Sequence, residues 1–243
     1  MIQINGRAMR ILPYTVVWFA AKPNLWGCLL KYYKQSKSCD IVTGYRKESF
    51  FTKVIDLNAP VTAIEANFDK NTAYEIRRAT KDGVTSVMGT GIKPFIEFYN
   101  SFALTKGLKK LNKDFYKYKP HLFITKAVHQ GQDVVMHAYI RDNALQRVRL
   151  LHSASLFRNE NDTQLKAVAG RANRLLHFDD MYFFKQLGFK MYDLGGYAHD
   201  TKDPELLKIN KFKDSFGGSL LQETDYVPIS ITFLSFLKKI FRL

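Results

Sequence analysis

Three consecutive stretches, HLFITKAV at 121–128, DVVMHAYI at 133–140 and LQRVRLLHSAS at 145–155, alternate apolar and polar residues with a period of two. That period sets every second side chain on one face of an extended chain. The separators, HQGQ and RDNA, are turn-rich and far too short for the crossover that parallel neighbours need. The three stretches must therefore form an antiparallel meander, and the rest of the fold has to pack on it.

Around the meander the pattern changes. Leu12 to Ala20, Asp40 to Arg46 and Phe50 to Leu57 read as strands, the last two joined as a hairpin by RKES. In NTAYEIRRATKDG the spacing of Thr72 and Glu75 predicts a capping box, with Gly83 stopping the helix. Phe95, Phe98, Tyr99 and Phe102 share one face of a second helix over Lys93 to Leu104. A third helix lies within Gln164 to Leu187 and is closed by Gly188. FKMYDL is then a short buried strand ending at Gly195 and Gly196. DPELLKINKFKDS reads as a helix with Pro204 in its first turn, stopped by Gly217 and Gly218 before the strand SLLQETDYV. The order predicts an α/β (α+β) fold with a mixed, largely antiparallel sheet flanked by helices. Its expected divisions are a β-rich region at 1–90, a core at 91–228 and a basic amphipathic segment at 229–243.

The chain of 243 residues carries a net charge of +15, which favours phosphate-rich partners: nucleic acid, nucleotide cofactors, nucleotide-linked substrates or anionic lipid. Its aromatic residues follow core periodicity rather than interleaving with a basic stripe, which argues against a nucleic-acid-binding module. Cys28 and Cys39 match no metal or redox spacing, as in a reduced, cytoplasmic setting. The start of the chain lacks the apolar core of a secretory signal, and its longest apolar run, Ile11 to Ala21, is too short to span a bilayer. The ISITFLSFLKKIFRL segment suits docking on the body or contact with a membrane surface. No histidine pair has metal spacing, so no metal is expected.

Candidate site residues cluster in the last third. Asn173, His177 and Asp180 fall at i, i+4 and i+7, on one face of an otherwise apolar helix. A histidine there can accept a proton near neutral pH, or it can simply pair with Asp180 at the helix surface. Asp193, before the glycine pair, suits either a base or a turn cap. Gly170, Arg171 and Asn173 would open a helix toward a phosphate if the helix began there; otherwise they are a turn and a surface arginine. Arg77 and Arg78 point to different sides of their helix, as phosphate contacts or as a solvated basic face.

NTAYEIRRATKDGV, AGRANRLLHFDDMYFFKQLGFKMYDLGG and INKFKDSFGG, in that order, resemble the Fem-like branch of the GNAT superfamily of acyltransferases. That branch includes peptidoglycan-bridge aminoacyltransferases and sugar N-acyltransferases. The resemblance implies one GNAT core with a reduced N-terminal companion. It also implies an acyl-coenzyme A donor held by Ser153, Ser155, Gly170, Arg171 and Asn173, with His177, Asp193 and Asp180 as catalytic candidates. Arg77, Arg78, Lys213 and Gly217 would meet an acceptor, here a nucleotide-linked amino sugar of bacterial surface polysaccharide (O-antigen or capsule, hence lipopolysaccharide) biosynthesis. The tRNA-dependent members are larger and often carry a helical arm, so aminoacyl-tRNA chemistry on a cell-wall precursor stands as the alternative.

Overall fold

The computed structural model describes residues 1–8, 12–156, 163–230 and 232. In chain order the elements are β1 (Ile2–Ala8), β2 (Leu12–Trp18), β3 (Lys31–Ser36), β4 (Tyr45–Asp56), α1 (Val61–Ala66), α2 (Lys70–Lys81), β5 (Thr85–Met88) and α3 (Ile92–Thr105). They continue with β6 (Leu122–His129), β7 (Gln132–Asp142), β8 (Arg147–Ser155), α4 (Thr163–Gln186), β9 (Met191–Gly196), α5 (Pro204–Asp214) and β10 (Ser219–Pro228). They fall into two compact units, one made by residues 1–52 with the described residues from 220 onward, the other by 53–219. This division differs from the expected boundary at residue 90: α2 lies in the second unit. Most of the amphipathic segment at 229–243 lies outside the described residues.

The first unit orders its strands β1-β2-β3-β10-β4. β2 and β3 run parallel, while β1 with β2 and β10 with β3 run antiparallel. Val17, Tyr33, Tyr45 and Tyr226 form its apolar centre. The hairpin expected at RKES is absent; β4 runs through it unbroken. The chain turns one residue before β4, at Gly44, whose φ of +87° suits glycine. Arg46 and Glu48 pair at 2.6 Å along the same strand, so their charges are met without a turn.

The second unit orders its strands β4-β9-β8-β7-β6-β5. The meander β6-β7-β8 is antiparallel as expected, and β8 pairs with β9 in parallel. Period-two alternation splits β7 between two cores. Met136 and Ala138 meet Phe95, Tyr99 and Phe102 of α3 on one face. Val135 meets Ala172, Leu175 and Leu176 of α4 on the other, where Ile76 and Ala79 of α2 also pack. His137 and Tyr139 share this second face by the same alternation.

The cap of α2 is not Thr72. Asp69 accepts from the Thr72 N–H at 2.6 Å and starts the helix three residues earlier, while the buried Thr72 hydroxyl donates to Ser215 at 2.9 Å. A carboxylate is the stronger acceptor for free helix N–H groups, and it also suits the positive end of the helix dipole. Asp203 caps α5 in the same way, with Pro204 in its first turn.

Gly217 and Gly218, at φ +72° and +78°, turn the chain from α5 into β10. A Cβ at Gly218 would come within 2.3 Å of the Val54 carbonyl oxygen, whereas one at Gly188, also left-handed at φ +83°, would meet nothing within 4 Å. Gly188→Ala should therefore lose about 1 kcal/mol, the left-handed cost alone, and Gly218→Ala should lose about 2 kcal/mol or more. Denaturant midpoints of the two variants check this ranking.

Candidate active site

The parallel register of β8 and β9 covers Arg147–Arg149 with Met191–Asp193. Beyond it, Leu150 to Ser153 and Ser155 of β8 and Leu194 to Gly196 of β9 line a cleft of about 930 Å³. Asn173, Arg174 and His177 of α4 and Ile209, Phe212 and Lys213 of α5 also line it. The position follows from the fold: two parallel strands that part leave an open end between the helices covering them.

The cleft is basic. Lys106, Arg149, Arg174, Lys208, Lys211 and Lys213 line it, against Asp69 and Glu205. Lys213 donates to the carbonyl oxygens of Gly195, at 3.1 Å, and Gly196. Burial, and then the charge of Arg149, bring its ammonium down to about 8. Two of its three N–H groups are taken by those carbonyls, leaving one for a ligand. Burial likewise lowers Arg174, whose guanidinium stacks 5.2 Å from the Phe212 ring. Burial and Arg149 together pull His152 down to about 4, so it is a neutral ring in the lining.

Under the cleft floor, α4 and the sheet enclose a hydrogen-bonded polar network. Asp180 Oδ2 accepts from Tyr139 at 2.5 Å, His137 Nδ1 at 2.9 Å and Thr125 at 3.1 Å. The Tyr139 and Tyr192 hydroxyls meet at 2.6 Å, and Tyr192 meets His177 Nδ1 at 2.7 Å. His137 Nε2 meets the Asn173 side-chain amide at 2.8 Å, and that amide donates its N–H there when the ring hydrogen is on Nδ1. His137 Nδ1 also lies 3.0 Å from the Tyr139 hydroxyl. Every one of these groups except Asn173 is at most 1% exposed. Burial, then His137 and the cations Lys213 and Arg174, hold His177 well below the usual histidine range, so it is neutral. Burial first and Asp180 next raise Tyr139 and Tyr192 far above the ordinary tyrosine value, so both keep their protons.

The face Asn173–His177–Asp180 therefore exists, but its members differ in place. Asn173 and His177 line the cleft, and Asp180 lies beneath it rather than pairing with His177 at a helix surface. Ser153, Ser155 and Lys213 are in the lining. Asp193 is not: it is fully buried and holds Arg147 at 2.5 Å while capping the Gly195 N–H at 2.7 Å. Gly170 and Arg171 do not open a helix, because α4 starts at Thr163 and they lie in its interior. Arg171 instead pairs with Asp82 at 2.7 Å, as Arg78 does at 2.9 Å, around a separate polar pocket. Arg77 is solvent-exposed. Gly217 packs on Asn67, where a Cβ would lie 2.7 Å away, so its role is the turn.

Sequence reasoning missed Arg149, Arg174, Tyr139 and Tyr192. The one available signal was the alternation His137-x-Tyr139, two polar groups on a strand face that otherwise packs apolar helices.

No family model and no curated protein matches the chain. Solved structures do. FemX aligns with a TM-score of 0.66 and 12% identity, covering 97% of this chain and 86% of its own. L-PGS from Bacillus licheniformis aligns at 0.54 and 11%, covering 82% and 67%. A C-terminal domain (DUF2156) from Agrobacterium fabrum, attributed to a lysylphosphatidylglycerol synthetase, aligns at 0.57 and 11%, covering 81% and 67%. At such identities the likeness is one of fold, a GNAT-like mixed α/β arrangement with a mostly antiparallel sheet flanked by helices.

Two outcomes follow from this geometry. Asp193→Ala leaves the Arg147 guanidinium buried without its carboxylate and should cost about 3 kcal/mol or more, read as a drop in Tm. Lys213 contributes a pH dependence of known sign. Between about 8 and its ordinary value of 10.5 the unfolded chain holds a proton that the folded chain has released. Stability contributed by this group therefore rises with pH across that window. In Lys213→Met that rise should disappear from the Tm–pH profile.

Proposed function

We propose that the chain is an acyltransferase that binds a phosphate-bearing acyl donor in the cleft between β8 and β9 and delivers the acyl group to an amine. The observation that carries this reading is the convergence, at the parting of the two strands, of a basic cleft with a neutral histidine. The donor's phosphates match Arg149, Arg174 and the lysines of α5. The strand end, with glycines at 195 and 196, leaves room for the acyl arm beside Ser153 and Ser155.

In the reaction the acceptor nitrogen attacks the acyl carbonyl while His177 Nε2 takes the amine proton. The remaining N–H of Lys213 steadies the developing oxyanion, and the leaving group then departs with the proton returned by His177. Alignment of donor and acceptor in one cleft can supply about 7–11 kcal/mol of the barrier reduction, against about 3 kcal/mol for one oxyanion donor. The chain thus works mainly as a template, with no covalent enzyme intermediate.

The finer reading is a coenzyme A thioester as donor and a nucleotide-linked amino sugar as acceptor, in the cytoplasm, toward bacterial surface polysaccharide. Both substrates carry phosphates that suit the basic cleft. The likeness to FemX over 97% of the chain favours a second reading, an aminoacyl ester of tRNA as donor and a cell-wall precursor as acceptor.

Incubation with acyl-coenzyme A and amino-sugar nucleotide panels, followed by thiol release, tests the first reading. Thiol release that depends on the sugar nucleotide supports it. Deacylation of aminoacyl-tRNA that requires a cell-wall precursor selects the second, and inertness toward both panels overturns the acyltransferase assignment. In an active pairing, His177→Gln should lower kcat by about 10²–10⁴-fold with donor affinity unchanged.

A further inference from the structure

The hydrogens of the buried network can be assigned one by one. Asp180 Oδ2 faces the Thr125 and Tyr139 hydroxyls and His137 Nδ1, which carries the ring hydrogen toward the carboxylate while the Asn173 amide N–H meets Nε2. That is the arrangement of an acceptor-only carboxylate. Its other oxygen, Oδ1, is buried with no hydrogen-bond partner, so a proton placed there would have no acceptor. Tyr139 has one hydroxyl hydrogen, and the 2.5 Å contact to Asp180 uses it. His137 Nδ1, 3.0 Å from the same hydroxyl and 2.9 Å from Asp180, holds a hydrogen of its own and so cannot take it. The Tyr139 oxygen must then accept across the 2.6 Å contact from Tyr192, which in turn spends the only hydrogen of Tyr192. At 2.7 Å from His177 Nδ1, the Tyr192 oxygen can only accept. The opposite direction at this last contact would leave two hydroxyl oxygens 2.6 Å apart with no hydrogen between them.

We infer that Asp180, acting through Tyr139 and Tyr192, fixes His177 in the tautomer with hydrogen on Nδ1 and a bare Nε2 lone pair. Asp180, Tyr139 and Tyr192 are thus positioning residues, and His177 is the group at the cleft. This inference rests on the proposed role of His177 as the base. The chain extends the logic of a histidine held by a carboxylate, with two phenols interposed between them. The His137 ring, 4.3 Å from that of His177, and the nearby cations Lys213 and Arg174 are the charged or titratable groups that bear on the same ring. They favour the neutral form but do not choose between its nitrogens, whereas the directed chain does.

The test is a long-range proton–nitrogen NMR correlation of the histidine rings in the full-length protein, with the His177 ring identified by its loss in His177→Gln. The expected parent spectrum has a protonated Nδ1 and a lone-pair Nε2. In Tyr192→Phe, which keeps the ring volume, Nδ1 loses its acceptor and the ring should shift toward the other tautomer or a mixture. In Asp180→Asn the amide can donate to Tyr139 and reverse the chain, giving Nε2–H. A parent His177 found as Nε2–H, or an Nδ1–H form unchanged in both folded variants, overturns the inference. With an active donor–acceptor pair, Tyr192→Phe should also lower kcat by about 10²-fold at constant KM. The spectra need no substrate, so the two readings fail separately: the expected tautomer in an inert protein overturns the function and leaves the inference standing.

Discussion

Arg147 and Asp193 hold β8 against β9 across their shared register, and the site depends on that clasp. The pair is almost entirely buried, at 4% and 0% side-chain exposure. Its carboxylate also caps the Gly195 N–H, so one side chain both ties the strands and starts the turn that separates them. A buried ion pair of this kind adds little net stability against an apolar pair, but it fixes register, because shifting either strand would strand a charge. The opening of the cleft falls directly after the clasp, where the two strands stop pairing and become lining.

The second constraint is the placement of polar groups under the cleft floor. Helix α4 packs Leu175, Leu176, Met181 and Phe184 against the sheet, yet the same helix brings Asp180 and His177 into that interface. Burial of this many polar groups is tolerable only because nearly every donor and acceptor is met. The result is a rigid connection between a carboxylate in the core and an imidazole at the cleft. Burial keeps that imidazole neutral, and the neighbouring His137, Lys213 and Arg174 also oppose a second proton.

Much of the fold was legible in the amino-acid order, because its signals are local. The meander followed from period two and short separators, and the stops at Gly83, Gly188 and Gly217–Gly218 followed from the need for left-handed backbone. The alignment of Asn173, His177 and Asp180 followed from helix geometry alone. Errors came where one local signal had two meanings. AGRAN looks like a helix opening when read by itself, but it lies inside a helix that begins at Thr163, so its N–H groups are already spent on the helix. RKES looks like a turn by polarity, yet a strand whose charged residues face outward continues through it.

What the sequence determined by itself was the order and type of most elements, the polar face of α4 and the basic character of the chain. Those depend on residues a few positions apart, where spacing and backbone preference act directly. The tertiary structure decided the partners. Asp193 meets Arg147 across 46 positions, and His177 is hydrogen-bonded toward Asp180 through Tyr192 and Tyr139, which come from two different strands. No periodicity encodes such meetings, because they arise from how strands are ordered in the sheet and which helix covers them. Asp193 thus lies in a buried clasp and Lys213 in the cleft lining, a difference of place set by packing over long chain separations.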